Sequence, residues 1–147
     1  MDASKRIAVL TGATGGLGHA FLKELLKSDF DEIWAVGRNE KKLEELAEEF
    51  GTGIIPLRMD LTKSEDIELF CEILKEQNPQ VEVLINNAGI AQMKASKDLT
   101  AKEIEDTIDL NCKAPVLLTN ICLPYMKRGG KIINVCSASS FQPVPYI

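Results

Sequence analysis

Short apolar runs alternate along the chain with longer amphipathic stretches. "RIAVL", "EIWAV", "GIIPLRM", "VEVLIN" and "GKIINVC" are apolar nearly throughout and rich in β-branched residues, the pattern of strands buried on both faces. Between the second and third runs, Leu43, Leu46, Ala47 and Phe50 recur at i, i+3, i+4 and i+7; Ile67, Phe70, Cys71 and Leu74 repeat the spacing before the fourth. Thr100, followed three residues later by Glu103, is a capping-box signature that opens a helical region from Ala101 towards Met126. Pro115 is expected to divide or kink that region. The stretch "PVLLTNICLPYM" is apolar around most of its circumference, so it is expected to pack on the sheet and to offer a face to another subunit. Strand and helix in alternation predict an α/β fold, a doubly wound parallel sheet with helices on both faces.

Composition changes this picture little. A chain of 147 residues can bury one core, and 45% hydrophobic with 27% charged residues is ordinary for a globular protein, against disorder or a membrane span. One domain over residues 1–147 is expected. The net charge of -5 is spread through mixed stretches such as "NEKKLEELAEEF", which presents no basic face for nucleic acid. Cys71, Cys112, Cys122 and Cys136 lie in apolar surroundings without C-x-x-C spacing, and no apolar leader precedes "KRIAVLTG". Buried thiols in a reduced, cytoplasmic protein are the expectation. With His19 the only histidine, no metal site is expected.

Candidate chemistry begins where the first strand runs into "TGATGGLG", with Gly12, Gly15, Gly16 and Gly18, and then into the helix "HAFLKELLKS". A strand, a glycine turn and a helix N-terminus place backbone N–H groups and the positive end of the helix dipole against an anion such as a diphosphate. No G-K-S/T follows, which argues against a P-loop, and G-x-G-x-x-G is missing too. The second strand ends "AVGRN", where an acidic side chain would grip the 2'-hydroxyl of NAD. Gly37 stands there instead, followed by Arg38, which can pair with a 2'-phosphate and favours NADP over NAD; the plainer reading is a solvated arginine near a helix start. Asn39 is placed to cap the next helix.

T-G-x-x-x-G-x-G, carried by Thr11, Gly12, Gly16 and Gly18, resembles the turn of the short-chain dehydrogenase/reductase family. The same residues fit T-G-x-x-G-x-x-G of the family's extended, sugar-nucleotide-modifying members, whereas "NNAG" at Asn86 to Gly89 resembles the ordinary single-domain subtype. The resemblance implies a Rossmann-type sheet of strand order 3-2-1-4-5, with the dinucleotide over the first and fourth strands. Thr11, Gly12, Thr14, Gly15, Gly16, Leu17 and Gly18 would then bind its diphosphate, and Asn87, Ala88 and Gly89 would lie beside the nicotinamide ribose. Asp60 in "MDLT" would hold the adenine amino group with Leu61 lining the ring, although Asp60 equally suits a turn or cap.

The same resemblance makes Asn111 of "LNCKAP" the catalytic asparagine, holding a water in a proton relay, and Ser137 of "IINVCSAS" the serine that polarises the substrate carbonyl. Cys136 stands where the family usually has a first serine and is expected as buried packing. The remaining Y-x-x-x-K pair is not found. Tyr146 lies nine positions past Ser137 with no lysine four residues on, and "FQPVPYI" resembles the family's approach to the catalytic tyrosine. The chain thus reads as a C-terminally incomplete NAD(P)-binding domain that lacks the last strands and helices. The function implied is NADP-dependent hydride transfer between nicotinamide and a ketone or secondary alcohol. Its partners would be that small molecule and a further copy of the chain, with neither nucleic acid nor membrane. The alternatives are a non-catalytic NADP-binding sensor or partner subunit and, less consistent with "NNAG", a sugar-nucleotide epimerase.

Overall fold

Alternate residues of the first strand serve two different cores. A computed structural model of the protein describes residues 4–142, and in it β1 (Arg6–Thr11) lies at the centre of a five-stranded parallel sheet. The other strands are β2 (Glu32–Gly37), β3 (Ile54–Arg58), β4 (Gln80–Asn86) and β5 (Met126–Asn134), in the order β3-β2-β1-β4-β5. Ile7 and Val9 point to one face, where they join Trp34, Val36 and Leu84 beneath α3 (Ser64–Gln77) and α5 (Ala114–Cys122). Ala8 and Leu10 point to the other face, with Ala35 and Ile85 beneath α1 (Gly16–Leu25) and α2 (Glu40–Phe50). β1 and β2, covered on both sides, have no solvent face for polar side chains, which is why their runs are apolar throughout; β3 and β5, at the edges of the described sheet, are only partly covered, so the expected burial on both faces fails for them. Trp34 and Phe70 meet edge to face, with ring centroids 6.1 Å apart.

The expected helix from Ala101 to Met126 is instead several pieces. The capping box is present: the Thr100 hydroxyl accepts from the Glu103 N–H at 3.2 Å, and a Glu103 carboxylate oxygen accepts from the Thr100 N–H at 2.9 Å, opening α4 (Ala101–Ile108). Asp109–Lys113 then form a π-helical turn, in which the Ala114 N–H reaches back five residues to the Asp109 carbonyl. Pro115 falls in the first turn of α5, where a missing N–H costs little. The break therefore precedes the proline. Its ring would crowd the Asn111 carbonyl four residues back, and the widened turn relieves that clash. Pro124 ends α5 early, at Cys122, so Met126 opens β5 rather than closing a helix.

β5 is the outer strand of the described sheet, and its register on β4 shifts between Val81, opposite Met126, and Val83, opposite Lys131. Ile132 packs towards α5, but Ile133 and Val135 are exposed on the other face, which none of the described helices covers. This also corrects the expectation of four buried thiols. Cys122 is fully buried, with its pKa pushed up to about 12 by desolvation, and Cys71 is half-buried, whereas Cys112 and Cys136 are exposed. Cys136 is not buried strand packing, because β5 ends at Asn134. All four are free.

Candidate dinucleotide cleft and active site

Thr11 ends β1 with a buried hydroxyl that makes three hydrogen bonds. It donates to the Ile85 carbonyl at 3.3 Å and accepts from the N–H groups of Asn87 and Ala88, each at 3.0 Å. Asn87 Nδ2 returns the link, donating to the carbonyls of Thr11 at 3.0 Å and Gly12 at 3.2 Å. The carboxyl ends of β1 and β4 are thereby locked together, and they form the floor of a cleft of about 850 Å³.

The four glycines of the turn divide into two pairs. Gly12 has φ +66, and a Cβ there would lie 2.9 Å from the Ala88 Cα; a Cβ at Gly18 would lie 2.1 Å from the Gly12 carbonyl oxygen. These two are required by the protein's own packing. A Cβ at Gly15 would touch only the Gly12 oxygen, at 3.5 Å, and one at Gly16 would meet nothing within 4 Å. Packing leaves both of these positions free. Gly15 caps α1 in extended conformation with no side-chain acceptor, so the first N–H groups of the helix face the cleft without a side-chain partner. An open glycine surface beside such donors is what a closely approaching diphosphate requires, and the chain fits the group on this count.

At the next stretch of the cleft stand Gly37, Arg38, Asn39 and Lys42, with Met59 and Leu61 on the adjoining wall. Asn39 caps α2 as expected, its Oδ1 accepting from the Lys42 N–H at 3.0 Å. Asp60 lies between two lining residues but is not itself part of the lining. Its Oδ1 accepts from the Thr62 hydroxyl at 2.8 Å and from the Thr62 N–H at 3.1 Å, the turn role that the sequence left open. Burial raises its pKa, but these hydrogen bonds and the charges of Arg38 and Lys63 outweigh that and hold it below the ordinary value.

Ala88, Gly89, Ile90, Leu110 and Val135 line the far end. Asn111 sits in the π-helical turn with its side chain engaged: Oδ1 accepts from the Ile90 N–H at 2.9 Å, and Nδ2 donates to the Ile90 carbonyl at 2.7 Å. Gly89 is next to it, where a Cβ would come within 3.3 Å of Oδ1. Asn111 therefore ties the loop after β4 to the helix, and the second N–H of Nδ2 and the second lone pair of Oδ1 have no partner among the described residues. Ser137 follows β5 and is exposed; its Oγ accepts from the Ser139 N–H at 3.1 Å, which leaves the hydroxyl proton to be donated. Tyr146 lies outside the described residues.

Two features were not anticipated from the sequence. Lys42 belongs to the cleft, and Asn86 is 4% exposed, with Nδ2 donating to Asn134 Oδ1 at 2.9 Å across β4 and β5. Asn86 Oδ1 has no partner among the described residues. Only a polar residue in an otherwise apolar strand could have pointed to it. Among the described residues no group of His, Cys, Asp and Glu is placed to hold a metal ion, and no helix is long and apolar enough to cross a membrane.

A parallel sheet of this order, with a glycine turn where the strand order reverses and the clamp of Thr11 and Asn87 beneath it, defines a Rossmann-type α/β protein. The chain belongs to the short chain dehydrogenase family, whose sequence profile matches residues 6–147. It is 31% identical over 140 residues to an NADP-dependent 3-hydroxy acid dehydrogenase of Shigella flexneri, covering 93% of this chain and 56% of that protein. Identity is also 31% to an NAD-dependent glycerol dehydrogenase of Listeria innocua, with 95% and 55% covered. A short-chain dehydrogenase from Sphingobium yanoikuyae, solved in complex with NADPH, superposes with a TM-score of 0.83 at 29% identity, over 94% of this chain and 56% of that one. In each pairing the chain spans little more than half the length of its relative.

Proposed function

We propose that the protein is an NADP-dependent oxidoreductase acting between a ketone and the corresponding secondary alcohol. The observation that carries this is a single cleft that runs from Arg38, past the open glycines Gly15 and Gly16, to Ala88, Gly89 and Val135, two residues before Ser137. The NADP preference rests on Arg38 and on the glycine at position 37, and the relatives include NADP-dependent and NAD-dependent enzymes alike.

When bound, the dinucleotide supplies the hydride donor or acceptor. The chain's own part is to hold the diphosphate on the α1 N-terminus, to exclude water with Ile90, Leu110 and Val135, and to donate a hydrogen bond from Ser137 to the substrate oxygen as charge grows on it. Asn111 contributes a main-chain carbonyl for a water in the proton relay. A general acid is still needed, and Tyr125, the one tyrosine among the described residues, has Gly129 rather than a lysine four residues on. The 147-residue chain alone is therefore expected to bind the dinucleotide and to turn over ~10²- to 10⁴-fold more slowly than a relative of full length. We place it in the reducing cytoplasm, consistent with its four free thiols.

Titrating the purified chain with NADPH and NADH by nicotinamide fluorescence tests the reading. Tighter binding of NADPH, lost in Arg38→Ala, is expected. Equal affinities, or a tighter NADH complex, would remove the NADP assignment, and carbonyl reduction at the rate of a full-length relative would show that residues 1–147 supply a general acid themselves.

A further inference from the structure

The protein has five more acidic than basic residues, yet among the described residues the only charged side chains lining the cleft are two cations, Arg38 and Lys42, and no carboxylate lines it. Both stand at the end where β2 passes into α2. The local fold fixes the Lys42 backbone there: its N–H donates to the Asn39 cap in the first turn of α2, and residues 38 and 42 both line the cleft. Its neighbour Lys41 is turned away towards Glu45, at 3.9 Å, whereas Lys42 has no ion-pair partner among the described residues.

Gly37, which lines the same end of the cleft, leaves space beside Thr14 and Leu43 open. A Cβ there would make only ordinary contacts, 3.5 Å from Leu43 Cδ2 and 3.7 Å from Thr14 Oγ1, so packing does not forbid a side chain at that position. Thr14, whose hydroxyl borders the same space, also lines the cleft. The result is a small opening edged by a guanidinium, an ammonium, a hydroxyl and the N-terminus of α2. It is suited to a doubly charged phosphate monoester and indifferent to a neutral hydroxyl.

We infer that Lys42 is a second specificity-determining residue, which pairs with the 2'-phosphate of NADP(H) together with Arg38. This rests on the dinucleotide reading of the cleft and deepens it, because it assigns discrimination to a residue one helical turn away from the arginine. Removing the ammonium takes one charge-assisted contact from the phosphate and none from the rest of the dinucleotide. Affinity for NADPH should therefore fall about tenfold in Lys42→Ala, while that for NADH stays within about twofold.

The test is a fluorescence titration of the 147-residue chain, its Lys42→Ala and Lys42→Arg variants and Arg38→Ala, with NADPH, NADH and, by competition, 2',5'-ADP against 5'-AMP. Thermal denaturation checks that the exposed substitutions leave the fold intact. The expected result is a loss confined to NADPH and 2',5'-ADP in Lys42→Ala, recovered in Lys42→Arg, with a weaker dependence of NADPH binding on salt in the alanine variant. Equal losses for phosphorylated and unphosphorylated ligands would overturn the inference. So would an unchanged NADPH affinity in Lys42→Ala with the loss in Arg38→Ala retained, which leaves the NADP reading standing. If the wild-type chain does not prefer NADPH, that reading fails and this one with it.

Discussion

Gly16 and Gly18 are both glycines of one motif, but they answer to different demands, and substitution should separate them. A Cβ at Gly18 would lie 2.1 Å from a backbone oxygen that cannot swing aside, so Gly18→Ala should destabilise the fold by ~1–3 kcal/mol, read by urea denaturation. Gly16→Ala meets nothing and sits at the first residue of α1, so its stability should be equal or slightly higher while NADPH binding weakens. Normal NADPH affinity in Gly16→Ala would contradict the diphosphate site. The sequence reveals the glycine motif because the spacing is local. It does not reveal which glycines are packed: Gly12 is held by Ala88, seventy-odd residues away across the sheet, and Gly18 by the Gly12 carbonyl and Ala13, which the fold of the turn brings over it. Asn111 shows the same limit: an asparagine in mid-helix is visible as an oddity, but its partner, the Ile90 backbone, lies in the loop after another strand. Lys42 was hidden for a different reason, because a lysine on an amphipathic helix resembles every other solvated lysine until the cleft beside it is seen.

Among the elements, those specified by neighbouring residues were the most legible. The capping box at α4 was visible because Thr100 and Glu103 meet within one turn, whereas the π-helical turn was not, because no local pattern distinguishes it from a proline kink. The cap also predicts an acid response. Glu103 is pulled from 4.5 to about 2 by the Lys94 ammonium first, then by the N–H and hydroxyl of Thr100. Because its folded-state pKa is depressed, its contribution is fully present above pH 4.5 and is lost as the pH falls towards about 2. Circular dichroism should therefore show stability falling over that range, with a smaller fall in Glu103→Gln. Thr100→Ala should cost about 1 kcal/mol at neutral pH. An identical acid response in Glu103→Gln would place the sensitive carboxylate elsewhere, with Glu82, lowered by its hydrogen bonds to Arg6, the next to test.

For the whole molecule, the question is which exposed surface would draw copies together, since the sequence leads to the expectation of a further copy of the chain as a partner. Two surfaces compete. The outer edge of β5 has open backbone groups, but it carries Lys127, Arg128 and Lys131, and like charges brought edge to edge repel a second copy. The alternative is the outer side of α4 and α5, where Ile108 is 55% exposed, Val116 68% and Leu123 51%. Charges there are already neutralised within each chain, Lys113 pairing with Asp109 at 3.2 Å and Lys102 with Asp106. Fully burying an apolar side chain contributes ~1.5–3 kcal/mol, and these are about half exposed, so roughly half of that from each of three side chains on two copies reaches the lower part of the ~4–15 kcal/mol that association costs. Association through the helices is therefore favoured over pairing of the β5 edges. In sedimentation equilibrium, the combined substitutions Ile108→Lys and Val116→Lys should shift the chain towards monomer without changing NADPH affinity, whereas Lys131→Thr should not reduce association. Monomer formation in Lys131→Thr alone, or association unaffected by the helix substitutions, would assign the interface to the sheet edge instead.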